Sequence, residues 1–427
     1  MIRIITDRLG MNNPEIQRDN DIEKAVDSII RDVRERGDQA LFDCAERFDG
    51  IRPSKLTVPE EKMEEACSRV DAAFLQALKG AARNIEAYHR RQIRQSFVVA
   101  DQPGIVMGQR IIPLRRVGLY VPGGTAFYPS SVLMNAIPAR IAGVGEIVLC
   151  TPPSRENAQG YPSDALLAAA YVAGVHTVCL SGGAQAIAAM AYGTETIPQV
   201  DKIVGPGNVY VATAKRRVFG QVDIDMIAGP SEILIVADKN SNVRHLAADL
   251  LSQAEHDRLA SAVLITDSRE LAEKVQAEIE AQLPLLPRAD IARASIDSNG
   301  KIVLAGSLED AVDIANEFAP EHLELMVDEP FALLGRIRNA GSVFLGRYAP
   351  EALGDYWAGV NHTLPTSGTA RFSSPLSVDD FVKKSSYLYY TKDALRDAKD
   401  GIVALAEAEK LSAHARSVAV RFEEELS

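Results

Sequence analysis

Two neighbouring residues, Glu321 and His322, carry the side-chain types that alcohol oxidation needs. Hydride can leave an alcohol carbon only if a base takes the hydroxyl proton, and further oxidation of an aldehyde requires an activated water. An imidazole and a carboxylate can serve those two steps. The pair stands in the segment "APEHLEL", directly after Pro320, which disfavours helix at Ala319 and predicts a helix-to-strand junction. A helix cap and a surface imidazole are the plainer roles for the same two residues. Consecutive side chains on a regular strand point to opposite faces, so joint action on one substrate requires the backbone from Pro320 to Leu323 to depart from that geometry.

A second group has metal-ligand chemistry. Gln253 and His256 lie near the end of a predicted helix at a spacing that puts both side chains on one face, within reach of one ion. Amides are uncommon zinc ligands, and a His near a helix C-terminus is also favoured by the helix dipole alone. Further oxygen or nitrogen ligands are needed. Asp355 in "GDYWAGVNHTLPT" and His414 in "EKLSAHARS" are candidates, although an Asp in a Gly-flanked, turn-rich stretch is commonly a cap and a His on a terminal helix can simply be solvated. His89, His176 and His245 have no accompanying ligand pattern and read as structural. Cys44, Cys67, Cys150 and Cys179 stand far apart without a CxxC pair, which points to buried, inert thiols and away from a disulfide framework or thiolate zinc finger.

Glycine clusters "VPGG", "SGG", "GPGN" and "AGPS" recur at the ends of predicted strands, where open α/β sheets place ligands and following helices offer free N–H groups to phosphates. None spells GxGxxG, and Gly-Pro turns after strands serve equally as chain reversals. The GxSxG elbow, the P-loop and HExxH are absent, which weakens hydrolase, NTPase and metalloprotease readings.

The elements that must position these residues are α/β in grammar. The first 100 residues repeat apolar positions at helical intervals, in "DIEKAVDSIIRDVRERGDQALFDCAERF" and "EKMEEACSRVDAAFLQALKGAARNIEAYHRRQI". From Arg116, β-rich runs such as "RVGLYVPGG", "EIVLCTPP" and "TVCLSGG" alternate with helical ones, implying a parallel sheet. A second block of the same grammar begins near Ser231 with "EILIVAD", and the last 45 residues read as helix with charged faces, lacking a strand partner. The 427 residues are 47% hydrophobic, enough for a sizeable core in several domains, and no apolar run suits a membrane span. The first 20 residues carry no apolar signal core, so the expected location is cytoplasmic. A net charge of −12 argues against nucleic acid or an anionic membrane as partner and favours small-molecule chemistry.

Taken together, "VGLYVPGG", "GGAQAIAAMAYGT", "VDKIVGPGN", "AGPSE", "LLSQAEHD", "APEHLEL", "GDYWAGVNHTLPT" and "EKLSAHARSV" stand in the order and approximate spacing of the L-histidinol dehydrogenase family, which the chain resembles from about residue 20 to its end. The resemblance implies two Rossmann-like domains with incomplete, mostly parallel sheets, a helical N-terminal region and a helical C-terminal extension. Its expected divisions are an arm over 1–20, a large α/β domain from 21–118 and 232–375, an NAD-binding domain over 119–231, and a tail over 376–427 exchanged in a homodimer with shared active sites. It implies oxidation of L-histidinol through L-histidinal to L-histidine with two NAD, the last steps of histidine biosynthesis. Gln253, His256, Asp355 and His414 resemble ligands of one zinc per subunit that anchors substrate. His322 resembles the base and Glu321 the group activating water. Ser231, His362 and Glu409 look like substrate contacts, joining His322 and the metal ligands, while Tyr120, Gln185 and Asn208 look like NAD contacts. A related zinc and NAD dehydrogenase on the same scaffold for another amino or sulfonated alcohol is the nearest alternative, and a catalytically silent nucleotide- or metal-binding regulator built on an α/β scaffold the alternative from another class.

Overall fold

Apolar residues at helical intervals fold as helix at the start of the chain, with breaks where local chemistry demands them. After β1 (Arg3–Ile5) come α1 (Asn20–Arg36) and α2 (Asp38–Cys44), separated at Gly37, whose φ of 54° is left-handed. β2 (Thr57–Val58), α3 (Glu60–Arg69) and α4 (Ala72–His89) follow, and the Asp71 side chain starts α4 by accepting from the Ala73 and Phe74 N–H groups. The computed structural model describes residues 1–6, 20–123 and 128–426. Most of the expected N-terminal arm, residues 7–19, and Gly124 of the first glycine cluster lie outside the described residues.

Next along the chain are β3 (Phe97–Val99), β4 (Ile105–Pro113), β5 (Arg116–Tyr120), α5 (Pro129–Ala142), β6 (Glu146–Thr151), α6 (Asp164–Ala173), β7 (Thr177–Leu180), α7 (Gly183–Tyr192), β8 (Lys202–Val204), α8 (Val209–Val218) and β9 (Asp223–Ile224). Strands β5 to β9 form a parallel sheet in the order β2-β7-β6-β5-β8-β9, with only β2 antiparallel at its edge. Helices cover both faces, which is why runs such as Ile147–Cys150 are apolar throughout instead of alternating. Met63, Leu78 and Ile85 pack with Leu133, Ile137 and Leu166 on one face, and Val26, Val33 and Leu41 with Ile187 and Met190 on the other. The helices of 20–92, which the sequence reading groups with residues 232–375, therefore bury their apolar stripes on this first sheet.

The second block runs β10 (Glu232–Ala237), α9 (Val243–Ala254), β11 (Ser261–Thr266), α10 (Arg269–Gln282), α11 (Ala289–Ser298), β12 (Lys301–Leu304), α12 (Leu308–Phe318), β13 (His322–Met326), α13 (Pro330–Leu334), β14 (Ser342–Leu345) and α14 (Glu351–Tyr356). Its sheet is wholly parallel in the order β1-β12-β11-β10-β13-β14, closed at one edge by the chain's first strand. Both sheets reverse direction beside their first strand, between β5 and β8 and between β10 and β13, the topological switch points of doubly wound folds.

Arg94–Pro113 and Val382–Ser427 form a separate compact unit. It holds β15 (Val382–Tyr390), α15 (Lys392–Ala408) and α16 (Ser412–Ala419), and an antiparallel sheet in the order β15-β4-β3. The tail expected to be helical and without a strand partner thus begins as a strand paired along its full length with β4. Its sequence "VKKSSYLYY" hides this, because the strand is exposed on both faces and so carries no apolar alternation.

Candidate functional site

Pro320 ends α12 as the sequence predicts, and Ala319 takes a left-handed conformation with φ 53° to turn the chain. Glu321 lies in the bend and β13 begins at His322, so the two residues are not successive positions of one regular strand. Their side chains meet, with Glu321 Oε2 3.6 Å from His322 Nδ1, and both are buried. His322 Nδ1 lies 2.9 Å from the Glu232 carbonyl oxygen. A carbonyl can only accept, so Nδ1 carries the hydrogen and Nε2 is the basic nitrogen. Nε2 is buried without a hydrogen-bond partner. Burial holds the imidazole pKa below its ordinary value, with the Asp355 carboxylate opposing, so the ring is kept neutral. Glu321 Oε2 accepts from the Glu232 N–H at 2.8 Å. Burial pushes its carboxyl pKa well up, against the effect of that hydrogen bond.

Around Nε2 stands a cluster of oxygen and nitrogen donors. Ligand atoms of His256, Glu351 and Asp355 lie within 4.8 Å of one another. His322 Nε2 is 3.8 Å from Asp355 Oδ1 and 3.9 Å from Glu351 Oε1, and His362 Nδ1 is 3.9 Å from Asp355 Oδ1. Gln253 is fully buried in the last turn of α9; with its amide nitrogen toward Glu351 it donates at 2.6 and 3.1 Å, and its oxygen accepts from the Glu232 N–H at 2.9 Å. Two expectations are corrected. His256 lies beyond the end of α9, where its N–H donates to the Gln253 carbonyl at 3.1 Å, so a turn and not a helix face brings the pair together. Asp355 belongs to the short helix α14 and not to a turn.

Among the described residues, Glu232, Glu321, Glu324, Glu351 and Asp355 form no ion pair with a lysine or arginine. Buried carboxylates left in that condition hold protons or a cation. Burial accordingly pushes Glu232 up to about 7, and Glu324 and Glu351 well above the ordinary range. Imidazole, carboxylate and amide donors around one point fit a zinc-like divalent ion. The supporting backbone is strained at two non-glycine residues, Ala319 and Ser367 with φ 54°, whose N–H donates to Glu232 Oε1 at 3.0 Å. His362 Nε2 faces Ser131 Oγ at 3.2 Å, and burial lowers the pKa of its ring. Ser231 immediately precedes β10 and its carbonyl accepts from the Ser261 N–H. The whole cluster stands at the amino edge of the second sheet, opposite the carboxyl edge where such sheets usually bind ligands.

The first sheet does present its carboxyl edge. Tyr120 ends β5, Gln185 lies in the first turn of α7 after β7, and Asn208 caps α8 after β8 by accepting from the Tyr210 and Val211 N–H groups. The buried Tyr120 hydroxyl accepts from the Gly183 N–H at 3.0 Å, and burial pushes its pKa up to about 12. Gly205, at φ 113°, passes so close to the Tyr120 carbonyl that an added Cβ would sit 2.1 Å from that oxygen. The buried Lys215–Asp225 pair holds this turn, Lys215 donating to the Gly205 carbonyl and Asp225 accepting from the Gly205 N–H. Glycine turns at a switch point leave the edge open to a dinucleotide.

The structure brings Glu321, His322, Gln253, His256, Asp355 and His362 together. Glu409, directly after α15, and His414, within α16, are exposed residues of the separate compact unit. Glu232, Glu324 and Glu351 were not anticipated. A signal existed for two of them: Glu351 precedes Asp355 by one helical turn, and Glu324 follows His322 on the same strand face.

A family model described as histidinol dehydrogenase matches residues 12–422. Histidinol dehydrogenase of Listeria monocytogenes is 54% identical over 99% of this chain and 100% of its own, and that of Bacillus cereus is 57% identical over 95% and 93%. The crystal structure of histidinol dehydrogenase from Elizabethkingia anophelis superposes with a TM-score of 0.93 at 36% identity, covering 100% of this chain and 99% of that one.

Proposed function

The chain belongs to the histidinol dehydrogenase family and is an oxidoreductase of histidine biosynthesis, and on that premise we propose that it converts L-histidinol through L-histidinal to L-histidine with zinc and NAD. One alcohol, one water and two NAD⁺ give one carboxylate, two NADH and three protons. The observation that carries this reading is the buried, unpartnered Nε2 of a neutral His322, beside a carboxyl group and an oxygen and nitrogen donor cluster.

Gln253 through its amide oxygen, His256 and Asp355 would hold the metal, with His414 supplied by a second subunit and Glu409 from the same segment facing the substrate. When bound, zinc supplies a fixed positive charge that anchors the substrate's nitrogens, and NAD supplies the hydride acceptor. Tyr120, Gln185 and Asn208 are proposed to face the dinucleotide. His322 Nε2 takes the hydroxyl proton as hydride leaves the alcohol carbon, and its Nδ1–H bond to the Glu232 carbonyl spreads the resulting positive charge. In the second oxidation Glu321, which would be ionised when the site's cation offsets the burial that otherwise keeps its proton on, takes a proton from the water that adds to the aldehyde, and His322 takes one from the hydrate. Ser231 and His362 line the substrate.

The separate unit supports a dimer. Phe97, Met107 and Leu388 are exposed on one face of its three strands, an apolar surface of the kind a second copy covers. The test is turnover of L-histidinol by the zinc-loaded protein, with two NADH expected per histidinol consumed. Absence of NADH from histidinol, or turnover only of another amino or sulfonated alcohol, refutes the assignment.

A further inference from the structure

We propose that Glu351 is a metal-holding carboxylate of this site in the substrate-free protein, alongside His256 and Asp355; the proposal rests on reading the cluster as a metal centre. Three observations carry it. The Glu351 carboxylate is buried, its oxygen lies within 4.8 Å of the donor atoms of both His256 and Asp355, and no lysine or arginine among the described residues pairs with it. Asp355 and Glu351 together bring two negative charges, the number that balances a divalent ion. The unpartnered Nε2 of His322 faces the same two carboxylates.

The Gln253 amide strengthens the argument in both of its orientations. With its nitrogen toward Glu351, the amide donates to both oxygens of that carboxylate at 2.6 and 3.1 Å and holds it beside the site, while the Gln253 oxygen, which accepts from the Glu232 N–H, keeps a second lone pair for a metal. With the amide reversed to bring its oxygen to a metal, that oxygen stands 2.6 and 3.1 Å from the two Glu351 oxygens. Oxygens so close repel unless a proton or a cation lies between them, and a cation shared by both removes the repulsion. The position of Glu351 is also fixed independently of any ion. It is the first residue of α14, and its N–H donates to Glu324 Oε1 at 2.8 Å.

The experiment uses full-length metal-free protein and its Glu351→Gln variant, each titrated with Zn²⁺ against a chromophoric chelator and separately with Co²⁺. Thermal melts of the metal-free forms confirm folding. The expected result is a loss of more than about 100-fold in Zn²⁺ affinity, beyond the 10- to 100-fold typical of outer residues, with an altered Co²⁺ ligand-field spectrum. Equal affinity and an identical spectrum in the variant overturn the assignment of Glu351 while leaving the metal centre intact. Failure of the unaltered protein to bind either ion overturns the metal reading itself. A zinc-soaked crystal of the unaltered protein tests the same assignment without a substitution, with a Glu351 oxygen expected at about 2.0–2.2 Å from the ion and the assignment refuted by one beyond about 3 Å.

Discussion

Gly341→Ala should damage the site without touching any group that does chemistry. Gly341 runs beside the bend that carries Glu321, donating its N–H to the Pro320 carbonyl at 2.9 Å, while Ser342 donates to the Glu321 carbonyl at 2.9 Å. A Cβ at 341 would stand 2.5 Å from the Glu321 carbonyl oxygen and 3.2 Å from Pro365 Cδ. Ordinary contact begins near 3.4 Å, so the backbone of Glu321 must retreat by about 0.9 Å, since a carbonyl held by the Ser342 N–H cannot rotate aside as a side chain can. Overpacking of this kind costs about 1–3 kcal/mol of stability. A displacement of about 1 Å in a reacting group costs on the order of 100-fold in rate. Steady-state kinetics with histidinol and NAD, beside a thermal melt, measure both quantities. A lower melting temperature and a kcat reduced by one to two orders of magnitude are expected. Wild-type kcat at unchanged stability would refute the claim that close approach of the strand after Asn339 positions the Glu321–His322 bend.

Two further outcomes follow from the same geometry. His322→Asn keeps a side-chain N–H for the Glu232 carbonyl and removes the basic nitrogen, so kcat should fall by about 10²–10⁴-fold while zinc affinity and melting temperature stay near wild type; an unchanged rate returns His322 to a structural role. The metal-free protein should gain stability as pH falls from 8.5 to 6.5. Glu232 at about 7, with Glu321, Glu324 and Glu351 also raised by burial, retains protons in the folded state that the unfolded chain has released, and each such carboxyl contributes up to about 1.4 kcal/mol per pH unit. The sign reverses for His322 and His362, whose lowered values have no effect while the unfolded imidazoles are neutral and destabilise the fold once those imidazoles take up protons, so the gain should become shallower below about 6.5. Denaturant titrations at fixed pH measure this, and stability that rises with pH over 6.5 to 8.5 would contradict it.

The periodicities of the sequence determined most of the elements by themselves. Continuous apolar runs and amphipathic repeats are local consequences of burying a sheet between helices, and Pro320, Gly37 and Asp71 act within three residues of where they stand. The ordered motifs were enough to identify the family, because many weak local signals in one order are jointly specific. The tertiary structure alone decided which carboxylates face one another. Glu232 begins β10, Glu324 lies within β13 and Glu351 begins α14, and only the strand crossover at β10 and β13 makes them neighbours of His322. Parallel pairing joins residues about 90 positions apart, as Ile233 with His322, and no local pattern encodes that register. The same pairing hid β15, since a strand that is exposed on both faces has no apolar period to read. Burial, finally, is a collective property: the neutral imidazole of His322 and the raised carboxyls around it exist because several elements exclude water from one place, which no single stretch of sequence can state.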